Sequence, residues 1–123
     1  MKKFSFKKLV RDSIVDNMIS WGQSPNRYVM GEQQYISELK SKLVEETHEF
    51  VDAKSKDDML KELSDVQEVV DATLSEIGKS RQDLIDIQRK RREKNGWFEK
   101  RHYINYVELD DDDEWVDYFL KNK

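Results

Sequence analysis

Two pairs of carboxylates carry the most distinctive chemistry in this sequence. Glu46 and Glu49 stand in KLVEETHEFVDA, and Glu62 and Asp65 stand in KELSDVQEVVDA. Each pair is spaced i, i+3, which puts both carboxylates on one side of a helix, a turn apart. Two such helices packed antiparallel bring four acidic side chains into a small volume. Four carboxylates at close range repel, and burying part of that charge is costly unless a cation neutralises it. The chain has no Cys and only two His, so the ligands on offer are oxygens. Such a set suits a hard divalent ion, Mg2+ or alternatively Mn2+, rather than zinc. The pattern predicts a metal site on paired helices, with Glu46, Glu49, Glu62 and Asp65 as ligands.

The helical wheel supports that reading. At about 100° per residue, Glu46 and Glu49 fall beside the arc that holds Leu39 and Phe50, and Glu62 adjoins Val66, Val69 and Thr73. Acids of a purely solvated face would lie on the opposite side, where His48 and Asp52 fall. Lys42, one turn before Glu46, is placed to neutralise part of the cluster when no metal is bound. Glu45 points about a quarter turn away from Glu46, and Glu68 lies a turn beyond Asp65 as a surface residue.

The elements that must position these acids follow from hydrophobic spacing. Val10, Ile14, Met18 and Trp21 predict a first helix over residues 9–21, stopped at Gly22. Ser24-Pro25-Asn26 reads as a turn, and residues 27–30 as a short β-prone segment closed by Gly31. Ile36, Leu39, Leu43, Phe50 and Ala53 predict a long helix over residues 32–53. Asp57 is a candidate N-cap for a second long helix over residues 58–77, which carries Met59, Leu63, Val66, Val70, Leu74 and Ile77. After Gly78, Ser80 can cap a third helix with Gln82 and Asp83 in its first turn. That helix turns basic from Arg89 to Lys94. Residues 97–109 alternate enough to read as extended and to pair with residues 27–30 as a two-stranded accessory. Residues 110–123 form an acidic cap or tail ending in a short helix with Trp115, Val116, Phe119 and Leu120. The fold class is all-α: a helical bundle with small extended additions.

The double motif resembles the MazG-like superfamily of all-α nucleoside triphosphate pyrophosphohydrolases. Two further segments carry the resemblance. Lys8-Leu9-Val10-Arg11-Asp12-Ser13-Ile14 is similar to the KLVRDxI opening of a single-domain branch that is phosphoribosyl-ATP pyrophosphohydrolase-like. Asn95-Gly96-Trp97-Phe98-Glu99-Lys100-Arg101 is similar to its closing GGFEKR segment. The three matches occur in the family's order and span most of the chain, which makes residues 1–109 the family-like domain. Trp97 departs from the pattern, standing where a small glycine is usual. The resemblance implies a bundle of the all-α pyrophosphatase type and hydrolysis of a nucleoside triphosphate to the monophosphate and pyrophosphate. It also implies that Glu45, with Glu46 and Glu49, serves catalysis by orienting water or a ligand.

Such a reaction needs cations for phosphate oxygens that the metal does not cover. The candidates are Lys8 and Arg11 at the front, and Lys90, Lys94, Lys100 and Arg101 at the back. Most of the run Arg89–Arg92 is read as a solvated helix end that complements the dipole. Trp97 either stacks on a base or plugs the core, and Phe98 is expected in the core. No Ser/His/Asp set, P-loop or glycine-rich phosphate cradle is present, which argues against nucleophilic and kinase mechanisms. The rival readings are a phosphoribosyl-ATP or dUTP pyrophosphatase, and a non-catalytic helical module that binds a nucleotide or a protein partner.

Bulk properties narrow the partners. At 123 residues the chain has the length of one domain. Hydrophobic residues make up 37% and charged residues 39%, a thin core that favours further burial between subunits. Two long helices and a shorter one form an open layer, so the bundle is expected to be completed in a homo-oligomer, a dimer or tetramer. A net charge of −4 argues against nucleic acid as a partner. The lack of Cys, of a membrane span and of a signal-peptide core leads to the expectation of a soluble, cytoplasmic protein.

Overall fold

The structure, a computed structural model, describes residues 1–122. Five helices follow in order: α1 (Ile14–Ser20), α2 (Glu32–Asp52), α3 (Lys56–Glu76), α4 (Arg81–Asn95) and α5 (Val116–Lys121). Among the described residues there is no strand, so the all-α class is met. The expected two-stranded accessory is absent: residues 27–30 and 97–109 form no ladder. A pair of short segments has too little ladder and too little buried face to stand alone. No helix among the described residues is long and apolar enough to cross a membrane. The chain divides into two compact units, Met1–Ile87 and Gln88–Lys123, with the boundary inside α4.

In the first unit α2 and α3 are the helices that pack closely against each other. Residues 53–55 connect them, and so short a connection forces the two helices antiparallel. Leu39 of α2, 2% exposed, and Val69 of α3, 8% exposed, are the buried apolar residues. Tyr35, Ile36, Phe50, Val66, Val70 and Leu74 flank them half-buried. The seam between the two helices is therefore where any inward-facing acid must lie.

The helix ends explain the registers. Helix α3 begins two residues earlier than expected because Ser55, not Asp57, is its N-cap. The Ser55 Oγ accepts the Asp58 N–H at 3.0 Å. Asp57 and Asp58 then occupy the first turn, where negative charge complements the helix dipole. The helix ends at Gly78, whose φ of +72° suits glycine, and the Lys79 N–H reaches back to the Leu74 carbonyl at 2.9 Å. Ser80 and Asp83 open α4 reciprocally. The Ser80 N–H donates to Asp83 Oδ2 at 2.8 Å, and the Asp83 N–H donates to Ser80 Oγ at 3.2 Å. Arg81 binds Asp71 through both Nε and Nη2, which ties the start of α4 to α3.

The first helix is shorter than its hydrophobic spacing predicts. Residues 9–13 are not helical, and α1 starts at Ile14. Lys7 takes a left-handed φ of +45°, and the side chains of Lys8 and Arg11 reach out to carboxylates of α2 and α3. These tertiary ion pairs outcompete one further turn of an already short helix.

The second unit holds the basic end of α4, a turn at Gly96, and the acidic residues 110–114 leading into α5. Trp115, Tyr118 and Phe119 meet edge to face in sequence. Val107, Leu109, Val116, Phe119 and Leu120 line a shallow groove rimmed by Asp110 and Asp111. Phe98, expected in the core, is fully exposed.

Candidate metal centre

The α2–α3 hairpin gathers the four acids. Glu46 follows Leu39 by seven residues and Glu62 precedes Val69 by seven, so each sits on the buried stripe of its helix. Glu49 and Asp65 lie one turn away from them. One carboxylate oxygen from each of Glu46, Glu49, Glu62 and Asp65 lies within 4.8 Å of all the others. Burial is graded: Glu46 is nine-tenths buried, Glu62 and Asp65 are half-buried, and Glu49 is exposed.

The electrostatics show a cluster short of positive charge. Glu46 Oε2 and Glu62 Oε2 are both shielded from solvent and have no hydrogen-bond partner. Burial, then the neighbouring Glu49 with its charge and shared hydrogen bond, then Asp65, push the Glu46 carboxyl up, against the pull of Lys42. Glu62 is pushed up by burial, by a hydrogen bond shared with Glu49 and by the charges of Glu49 and Asp65, with Lys61 opposing. A proton relieves such a cluster partly, and a divalent cation relieves it better because it serves several oxygens at once. The all-oxygen donor set and the two unpartnered buried oxygens fit Mg2+ or Mn2+. Nothing in the set offers the nitrogen or sulfur that zinc favours.

Two basic residues now touch the quartet. Arg11 Nη2 lies 2.7 Å from Asp65 Oδ1, and Lys42 Nζ lies 3.8 Å from Glu46 Oε1. The neutralising role expected of Lys42 is thus met in geometry. Arg11 and Lys8, expected at phosphate, are instead engaged with carboxylates: Lys8 Nζ meets Glu45 Oε1 at 3.1 Å. Glu45 also takes Lys42 Nζ at 3.1 Å on its other oxygen. Burial alone raises the Glu45 carboxyl, but its hydrogen bonds from Lys42 and Lys8 and their charges outweigh that and hold it low. Glu45 is therefore a firmly ionised carboxylate beside the quartet, anchoring two ammonium groups. The ion pairs of Lys8 and Arg11 span 37 and 54 residues, so no local pattern could have revealed them.

The remaining candidates, Lys90, Lys94, Trp97, Lys100 and Arg101, belong to the second unit and are exposed there. Trp97 is 61% exposed and does not plug a core. The Arg92 guanidinium lies over its ring at 3.7 Å, a cation–π stack made possible by the reversal at Gly96. Arg92, in the basic run of which most is read as solvated, is half-buried and makes this contact. An Arg in the last helical turn followed by Gly-Trp is the sequence signal for that stack. Arg101 has a left-handed φ of +59°, beyond the turn formed by residues 99 and 100.

No family model matches the chain, and no curated protein or solved structure matches it either.

Proposed function

We propose that this chain is a Mg2+-dependent nucleoside triphosphate pyrophosphohydrolase, acting on ordinary, deoxy or non-standard nucleotides. Water adds across the bond between the α- and β-phosphoryl groups, giving a nucleoside monophosphate and pyrophosphate. The observation that carries this reading is the four-carboxylate cluster with two buried, unpartnered oxygens. The resemblance of its frame to the MazG-like enzymes supports the choice of reaction.

Glu46, Glu49, Glu62 and Asp65 would hold the cation. A divalent ion there neutralises phosphoryl oxygens and lowers the pKa of water. The chain's own residues do the rest. The bare quartet repels a polyanion, so substrate binds only where a cation is present. Glu45, kept ionised by Lys8 and Lys42, holds both ammonium groups next to the quartet. By their chemistry Lys90, Lys94, Lys100 and Arg101 suit phosphate, and Trp97 suits a base on the ring face that Arg92 leaves free. The working form in this reading is a homo-oligomer, because Val44, Val51, Leu60 and Leu63 stand exposed on the two long helices.

The test is a panel of ordinary, deoxy, damaged and phosphoribosylated nucleoside triphosphates with Mg2+. Pyrophosphate release that EDTA abolishes is expected. No pyrophosphate from any member would overturn the enzyme reading, and tight binding of an unhydrolysed nucleotide would replace it with a non-catalytic module.

A further inference from the structure

The contact between Arg11 and Asp65 joins a basic residue from outside the hairpin to one of the four clustered acids. We propose that Arg11 is an exchangeable counter-ion of the quartet. It is bound to Asp65 until a divalent cation takes that carboxylate, and then turns to a phosphoryl oxygen of the substrate. The inference rests on the metal-site reading above and adds a residue that must leave the site for the cation to enter.

Three features single out Arg11. Its contact with Asp65 is made through Nη2 alone, although a guanidinium carries five N–H donors in a fork suited to two oxygens. Its side chain is 56% exposed, so the guanidinium can move without opening any packed surface. It also belongs to the non-helical residues 9–13, whereas Lys42 is built into α2 and is held in addition by Glu45 at 3.1 Å. Arg11 can therefore depart with α2 and α3 unmoved by giving up one partner, whereas Lys42 would have to leave both Glu45 and Glu46.

The direction of the exchange follows from charge. A guanidinium 2.7 Å from Asp65 Oδ1 competes for that carboxylate and repels an incoming dication. Once the cation is in place, the ionised quartet falls from four negative charges to two, and its hold on Arg11 weakens. A phosphate chain then supplies the paired oxygens that Asp65 did not. The ion pair between Lys8 and Glu45 stays intact and keeps the segment beside the quartet while Arg11 changes partner.

Mn2+ titration followed by the loss of its free-ion electron paramagnetic resonance signal tests this, comparing wild type with Arg11→Gln. The variant should bind Mn2+ roughly two- to fivefold more tightly, the range set by a partly exposed ion pair. The Mn2+-saturated variant should bind pyrophosphate several-fold more weakly by calorimetry. Opposite signs are the signature, because a residue that only braces the fold would weaken both. Arg11→Lys, which keeps the charge, should lie between the two proteins in both measurements. Arg81→Gln removes an equal charge elsewhere and should change neither. A wild type that does not bind Mn2+ overturns the metal site and this inference together. A wild type that binds Mn2+ no more weakly than Arg11→Gln, or an Arg81→Gln variant that gains as much, overturns the inference alone.

Discussion

Glu49 is the most exposed member of the quartet, yet it sets the state of two others through its charge and shared hydrogen bonds. Because the fold raises Glu46 and Glu62, the folded chain holds their protons more tightly than the unfolded chain. Their contribution to stability is complete below the ordinary carboxylate pKa and is lost as pH rises through the raised values. The metal-free protein should thus lose melting temperature as pH climbs above the ordinary carboxylate range, when measured in EDTA. Glu49→Gln should flatten that slope and raise the melting temperature near neutral pH by about 2 °C, since one repelling charge is gone. Added Mg2+ should reverse the slope, because the cation competes with protons for the same oxygens. In the proposed reading the same group also serves the chemistry. Alanine at any of Glu46, Glu49, Glu62 or Asp65 should abolish turnover with the helical circular dichroism unchanged. Near-normal activity in Glu49→Ala and Asp65→Ala would refute the ligand assignment.

At the scale of elements, the site depends on how α2 and α3 are held in register. Leu39 is the most buried side chain in the seam, and Leu39→Ala should cost about 3 kcal/mol in chemical denaturation. Ser55 holds the first turn of α3 through one bond to the Asp58 N–H, and Ser55→Ala should cost about 1 kcal/mol. A loss for Ser55→Ala as large as that for Leu39→Ala would mean that the cap, rather than the seam, organises the hairpin. The clamp between Asp71 and Arg81 acts at the far end of α3. Hydrogen bonds from Arg81 and then Gln67 hold the Asp71 carboxyl low, so its contribution is present above the ordinary carboxylate pKa and is lost as pH falls through the lowered value. Arg81→Ala should accordingly lower the melting temperature at pH 7 and have little effect at pH 2. An equal loss at both would show that the stem of Arg81, not its charge, matters.

At the scale of the whole molecule, two apolar residues among those described are buried while many large ones are exposed. Val44, Val51, Leu60 and Leu63 on α2 and α3 leave an apolar surface that another copy of the chain can cover. Light scattering at micromolar concentration should give a dimer or tetramer, and Leu60→Lys should shift it toward the monomer. A wild-type mass near 14.8 kDa would remove the oligomer from the functional reading.

The sequence by itself determined the helical class, the two long helices and the identity of the four acids. Those features are local: period 3.6 spacing, turn residues and i, i+3 pairs need no knowledge of distant contacts. Even the opening of α4 at Ser80 is legible, because its cap and its partner are three residues apart. Tertiary structure decided what spacing does not encode. It exposed Phe98 and Trp97, set Arg92 over the indole, and left residues 27–30 and 97–109 without a ladder. It also delayed the start of the first helix to Ile14, because Lys8 and Arg11 are drawn to carboxylates far along the chain. The wheel placed the acids beside the apolar stripe, but only the packing of α2 on α3 decided that Glu46 is buried with one oxygen unpartnered. Charge acts through space, so which cation answers which acid depends on the fold rather than on the order of residues.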